Sequence, residues 1–102
     1  EALSFIEQHY SEDISIEDIS SFCGLNRSYF SKVFRDTMGE SPQGFLLHYR
    51  MARAAQLLTE SRLPIRTIST MVSYPNQLHF SRAFKNVYGI SPRDYRAKHF
   101  AL

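Results

Sequence analysis

Arg27, Ser28, Ser31, Lys32 and Arg35 recur at one-, three- and four-residue steps, so on a helix they gather on one side. Fifty residues later Gln77, Leu78, Ser81, Arg82 and Lys85 repeat the arrangement, and neither set contains an acid. The chemistry open to such residues is recognition rather than bond-making. Small serines let a helix backbone approach base edges, while Arg, Lys and Gln carry donors suited to guanine and adenine in a major groove. A merely solvated helix normally mixes Glu among its cations and pairs them. Asn76 and His79 stand beside the second set and add two more side chains able to reach a nucleic acid.

Other chemistry finds little support. No nucleophile–base pair or pair of carboxylates forms a catalytic constellation, so an enzyme is not expected. The four histidines, at 9, 48, 79 and 99, show no three- or four-residue spacing and meet only one cysteine, which argues against a metal site. There is no glycine-rich phosphate loop, and no cofactor is expected. Cys23 falls on an apolar face and reads as a buried structural thiol. Being alone, it cannot form an internal disulfide, which favours a reducing, cytoplasmic setting. For Tyr29 and Tyr95, covering the core is the preferred role over contacting phosphates.

Helices must position the two faces. Leu3, Ile6 and Tyr10 recur at helical steps, as do Ile16, Ile19, Phe22 and Cys23, then Phe30, Val33, Phe34 and Met38. Ile65, Ile68 and Val72 follow, then Phe80, Ala83, Phe84 and Val87. No segment keeps a period of two, so the expected class is all-α. Seven helices are predicted, near 1–10, 15–23, 27–38, 42–60, 65–72, 77–88 and 92–100. Ser15 and Asp18 make a near capping box, and Asn26 and Asn76 suit helix starts. Ser41-Pro42 and Ser91-Pro92 put proline at the first helical position, and Gly39 and Gly89 suit left-handed helix ends.

These elements form an imperfect internal repeat. Ile16, Ile19 and Ser20 reappear as Ile65, Ile68 and Ser69; Asn26, Phe30, Ser31, Phe34, Gly39, Ser41 and Pro42 reappear as Asn76, Phe80, Ser81, Phe84, Gly89, Ser91 and Pro92. The spacing changes because the second turn, Ser73-Tyr74-Pro75-Asn76, is one residue longer than Gly24-Leu25-Asn26. Each copy reads as a short helix, a turn and a longer helix, the helix-turn-helix arrangement. A hairpin used only for packing shares much of this pattern, but two acid-free outward faces are hard to assign to packing. The expected layout is a first helix-turn-helix subdomain over 1–40, a linker helix over 41–61 and a second, homeodomain-like in the same way, over 62–102. A linker of about 19 residues is about 28 Å long. That approximates the roughly 34 Å between successive major grooves on one side of B-DNA.

Composition fits this picture. The chain has 102 residues with 43% hydrophobic and 22% charged, one ordinary domain's worth and not a disordered composition. No apolar run approaches the roughly 18–20 residues of a membrane span, and no signal peptide is expected. The net charge of +2 hides an asymmetry: residues 1–18 carry six acids and no Lys or Arg, and the remainder carries all 12 cations against four acids. Such a split points to a polyanionic partner for the later part of the chain, although an ordinary solvated surface remains open on charge alone.

Ile19–Gly24–Tyr29-Phe30-Ser31-Lys32-Val33-Phe34–Gly39-Glu40-Ser41-Pro42, Arg50–Ala54–Leu57-Leu58, and His79-Phe80-Ser81-Arg82-Ala83-Phe84-Lys85–Gly89-Ile90-Ser91-Pro92–Tyr95-Arg96 together resemble the AraC/XylS transcriptional regulators. The resemblance covers nearly the whole chain and implies that family's C-terminal DNA-binding domain. It implies two recognition helices, over about 27–38 and 77–88, in adjacent major grooves of a bipartite promoter site on double-stranded DNA. Ser28, Ser31 and Lys32, then Gln77, Leu78, His79, Ser81 and Arg82, would face bases. It further implies a fragment of a longer bacterial regulator, monomeric by itself, with RNA polymerase as a partner if the regulator activates. Ser73 departs from the pattern, which has glycine there, so a strained or shifted second turn is expected. The alternative is a helical protein-interaction module that binds an acidic protein through the same surfaces.

Overall fold

The computed structural model describes residues 1–99. Among them lie seven α-helices and no strand: α1 (Ala2–His9), α2 (Ile16–Phe22), α3 (Arg27–Met38), α4 (Pro42–Glu60), α5 (Ile65–Met71), α6 (Gln77–Tyr88) and α7 (Pro92–His99). The all-α expectation holds, with α1, α2 and α5 one or two residues shorter than predicted. Tyr10, Ser15, Cys23 and Val72 act as caps rather than helical residues. The predicted end at 100 lies outside the described residues. The chain divides into two compact units, one from Glu1 to Tyr49 and one from Arg50 onward.

Local chemistry sets the boundaries. Ser15 Oγ accepts from the Asp18 amide at 3.1 Å and Asp18 Oδ2 accepts from the Ser15 amide at 2.8 Å, a complete capping box at the start of α2. Asn26 accepts from the Tyr29 amide and Asn76 from the His79 amide, opening α3 and α6 alike. Gly39 and Gly89 end those helices in the left-handed conformation, at φ +82° and +85°. Ser41 and Ser91 then cap α4 and α7 through the Gly44 and Asp94 amides.

In the first unit Ile6, Ile16, Ile19, Phe30, Phe34 and Leu46 form the core. Phe34 stands edge-on to Phe45 at 5.6 Å, which fixes the inner side of α3 against the start of α4. In the second unit Met51, Ala54, Leu58, Ile68, Val72, Phe80 and Phe84 are all fully buried. Each of these side chains except the small Ala54 contributes about 1.5–3 kcal/mol through removal of its apolar surface from water. Phe22 departs from expectation. It is 57% exposed, because Ile16, Ile19 and Cys23 define the inward stripe of α2 and Phe22 lies about 100° round from Cys23. Leu3, Val33 and Met38 are also exposed, at the margins of their apolar stripes.

The two turns reach the same backbone shape by different means. The Leu25 amide bonds the Ser20 carbonyl at 2.9 Å, and the Tyr74 amide bonds the Ser69 carbonyl at 2.9 Å. Gly24 takes φ +74° in the first turn, and Ser73 takes φ +70° in the second, the only non-glycine with positive φ among the described residues. The strain expected at Ser73 is therefore present. The fully buried hydroxyl of Ser69 donates across the turn to the Tyr74 carbonyl, whereas the Ser20 hydroxyl bonds within its own helix to Glu17. A left-handed L-residue costs about 1–2 kcal/mol, and glycine loses part of that gain to its greater unfolded freedom. Ser73→Gly is thus expected to stabilise the fold by about 1 kcal/mol, raising the melting midpoint by about 4–8 °C. A calorimetric scan checks this; a lowered midpoint would mean that the serine side chain outweighs its strain.

Candidate nucleic-acid interface

The inward aromatics decide which side of each long turn helix reaches water. With Phe30 and Phe34 buried, α3 presents Arg27, Ser28, Lys32 and Arg35 as exposed residues and Ser31 as half-buried at the edge of that face. With Phe80 and Phe84 buried, α6 presents Gln77, Leu78, His79, Arg82 and Lys85 exposed, and Ser81 half-buried. The structure therefore brings together five of the predicted contact residues on α3 in one unit and six on α6 in the other. Asn76 precedes α6, and its Oδ1 is committed to the His79 amide at 3.0 Å. Only its side-chain amide nitrogen remains to donate outward.

Three residues take places that spacing alone does not give. Tyr29, assigned to packing, is 55% exposed. It follows Ser28 on the outer flank of α3, since Phe30 takes the inward position. Asp36 lies one turn beyond Lys32 on the same exposed face and its Oδ2 accepts from Lys32 Nζ at 3.0 Å, so, against expectation, the α3 face is not free of acid. The lysine–aspartate spacing of four was the available signal for that pair. Arg96 supports the site from outside it: its Nε donates to the Leu58 carbonyl at 3.0 Å and its guanidinium tip to the Ser61 carbonyl at 3.2 Å. A cation on a last-turn carbonyl of α4 and on the carbonyl just past its end satisfies groups that have no partner inside the helix. Tyr95, beside it, packs as expected, edge-on to Phe84 at 5.3 Å.

Other chemical groups do not converge. Among the described residues no group of three or more His, Cys, Asp or Glu could hold a metal ion. Cys23 is half-buried and free rather than fully enclosed. Burial pushes its thiol above the usual range, helped by the Glu1 carboxylate, which keeps it a weak nucleophile. No helix among the described residues is long and apolar enough to cross a membrane.

Two short-helix, turn, long-helix units, each carrying an exposed cationic face on a long helix capped by asparagine, define a helix-turn-helix protein of the nucleic-acid-reading class. Comparison with known proteins makes the assignment specific. A family model described as a helix-turn-helix domain matches residues 19–98. The lactose operon transcription activator of Staphylococcus xylosus is 36% identical over 99% of this chain and 36% of its own length. The C-terminal domain of AraT, a response regulator from Geobacillus stearothermophilus, superposes with a TM-score of 0.95 at 34% identity, covering 99% of this chain and 84% of that one. A transcriptional regulator from Chromobacterium violaceum, described as AraC-type and DNA-binding, gives a TM-score of 0.90 at 31% identity, covering 97% and 88%. The chain belongs to the AraC-type helix-turn-helix family: it is a DNA-binding domain of a transcription regulator and not an enzyme. It spans about a third of the length of curated relatives it matches, from 38% of one to 31% of others.

Proposed function

We propose that this chain binds a bipartite promoter site as a monomer, placing α3 and α6 in adjacent major-groove segments of double-stranded DNA. The observation that supports this reading is the repeated outward face, carried on two complete helix-turn-helix units within one polypeptide. A dimeric repressor needs two chains to offer as much. In this reading residues 1–40 and 62–102 act as the two reading subdomains and 41–61 as their linker. Ser28, Ser31 and Lys32 read bases from α3, and Gln77, Leu78, His79, Ser81 and Arg82 read them from α6. Arg27, Arg35 and Lys85 bind phosphates, with Asn76 at the margin of the second face. The lysine and arginines set affinity and register, and the base-edge contacts select the site.

Leu78 offers no hydrogen bond, so its part is apolar contact with a thymine methyl group or a sugar. The full-length regulator acts in the cytoplasm, where the DNA is. RNA polymerase is the partner if this regulator, like the lactose operon transcription activator of Staphylococcus xylosus, activates transcription.

Selection of bound sequences from random duplexes, followed by footprinting with stoichiometry, tests the proposal. One chain protecting two groove segments is the expected result. Protection of one segment, or a strict requirement for two chains, overturns the monomeric bipartite reading. Failure to enrich any sequence would return the surface to protein binding.

A further inference from the structure

One of the differences between the outward faces of α3 and α6 is an acid. Asp36 on α3 corresponds to Asn86 on α6, fifty residues later. Asp36 holds Lys32 at 3.0 Å, whereas the corresponding Arg82 has no ion-pair partner among the described residues. Arg27, Arg35 and Lys85 are likewise unpaired there. Lys32 is thus the one cation of the two faces that carries its own counter-charge. Both partners are well exposed, at 75% and 64%, so the pair contributes little to stability in water. Its placement on the reading face is what gives it an effect.

We infer that Asp36 is a specificity-determining residue, which keeps Lys32 from binding DNA indiscriminately; this rests on the proposed role of α3 as a groove reader. Binding to arbitrary sequence is almost wholly electrostatic and draws every available cation towards phosphate. For Lys32 to take a phosphate it must leave Asp36, and the carboxylate is then carried unpaired towards the polyanion. Where a base acceptor meets Lys32 instead, the ammonium can use one of its three donors on the base and keep another on Asp36. The carboxylate therefore penalises the non-specific mode more than the specific one, a repulsive element of the kind that discrimination requires. In the second unit Asn86 imposes no such penalty, and Arg82 is free to engage from the start. The two units accordingly differ: α3 carries a built-in penalty on arbitrary binding, and α6, whose Arg82 has no such counter-charge, carries none.

The test compares the unsubstituted chain with Asp36→Asn on a selected duplex and a scrambled one, across a salt series. Asp36→Asn is expected to bind the scrambled duplex about tenfold tighter at 0.1 M salt, with a salt slope steeper by about one. Binding to the selected duplex should gain less than about threefold, so the specificity ratio falls. In a Lys32→Gln background the same substitution should leave that ratio nearly unchanged. An equal gain on both duplexes, no gain on either, or a full fall in ratio without Lys32 each overturns the inference. If the unsubstituted chain itself fails to prefer the selected duplex, the groove-reading proposal has failed, whatever Asp36→Asn does. Circular dichroism confirms that the exposed substitution leaves the helices intact.

Discussion

Phe80→Ala is expected to destabilise the second unit by about 3–5 kcal/mol and to leave α6 without a fixed seat. Phe80 is fully buried. It stands edge-on to Tyr74 at 6.1 Å and 5.9 Å from Phe84, so its ring ties the second turn to the inner side of α6. Removing it takes away the transfer free energy of the ring and opens a cavity that surrounding residues fill only in part. Small domains hold about 5–15 kcal/mol in total, so most of the margin would go. Urea titration followed by circular dichroism measures the loss. On the bipartite duplex, protection should shrink to the segment contacted by the first unit. A loss below about 1 kcal/mol would mean that Tyr74 and Phe84 close the space, and that the aromatic seat does not position α6.

Arg82→Ala is the substitution with the largest expected effect on recognition. Arg82 is exposed and unpaired among the described residues, and its planar fork can address both acceptors of a guanine. Its loss should cost about 1–3 kcal/mol on the selected site and relax preference at one or two base pairs. Repeating the selection with the variant reads both effects. Uniform weakening on all sequences, with a salt slope shallower by about one, would make Arg82 a phosphate contact instead. Lys32 offers a useful contrast, because its ammonium starts from a bond to Asp36. Removing it should cost less affinity than removing Arg82.

How far the structure could be read in advance varied with the kind of interaction. Helix starts and ends were legible because they depend on short-range chemistry. Ser15 and Asp18, Asn26 and Asn76, and Gly39 and Gly89 all act within a few residues of their own position. The central apolar positions of α3 and α6 were equally plain, since phenylalanines four apart mark one stripe. Stripe margins were harder. Phe22, Val33 and Tyr29 differ from core residues by tens of degrees around a helix, and which of them is covered depends on neighbouring elements. The Lys32–Asp36 pair was present in the spacing, but its significance required knowing that both side chains lie on the same open face. Arg96 was beyond reach: its partners are backbone carbonyls 38 and 35 residues away, which no local pattern encodes.

The reach of Arg96 bears on the order in which the protein is made. The residues that make up the first compact unit end at Tyr49. Synthesis proceeds from the N-terminus at about 5–20 residues per second, and domains fold as their segments emerge. The first unit can therefore begin to fold while the second is still being translated. The end of α4 must wait for residue 96 before its Leu58 and Ser61 carbonyls receive their cation. In the emerging chain, a nascent polypeptide with one finished helix-turn-helix unit and one unfinished unit precedes the complete domain.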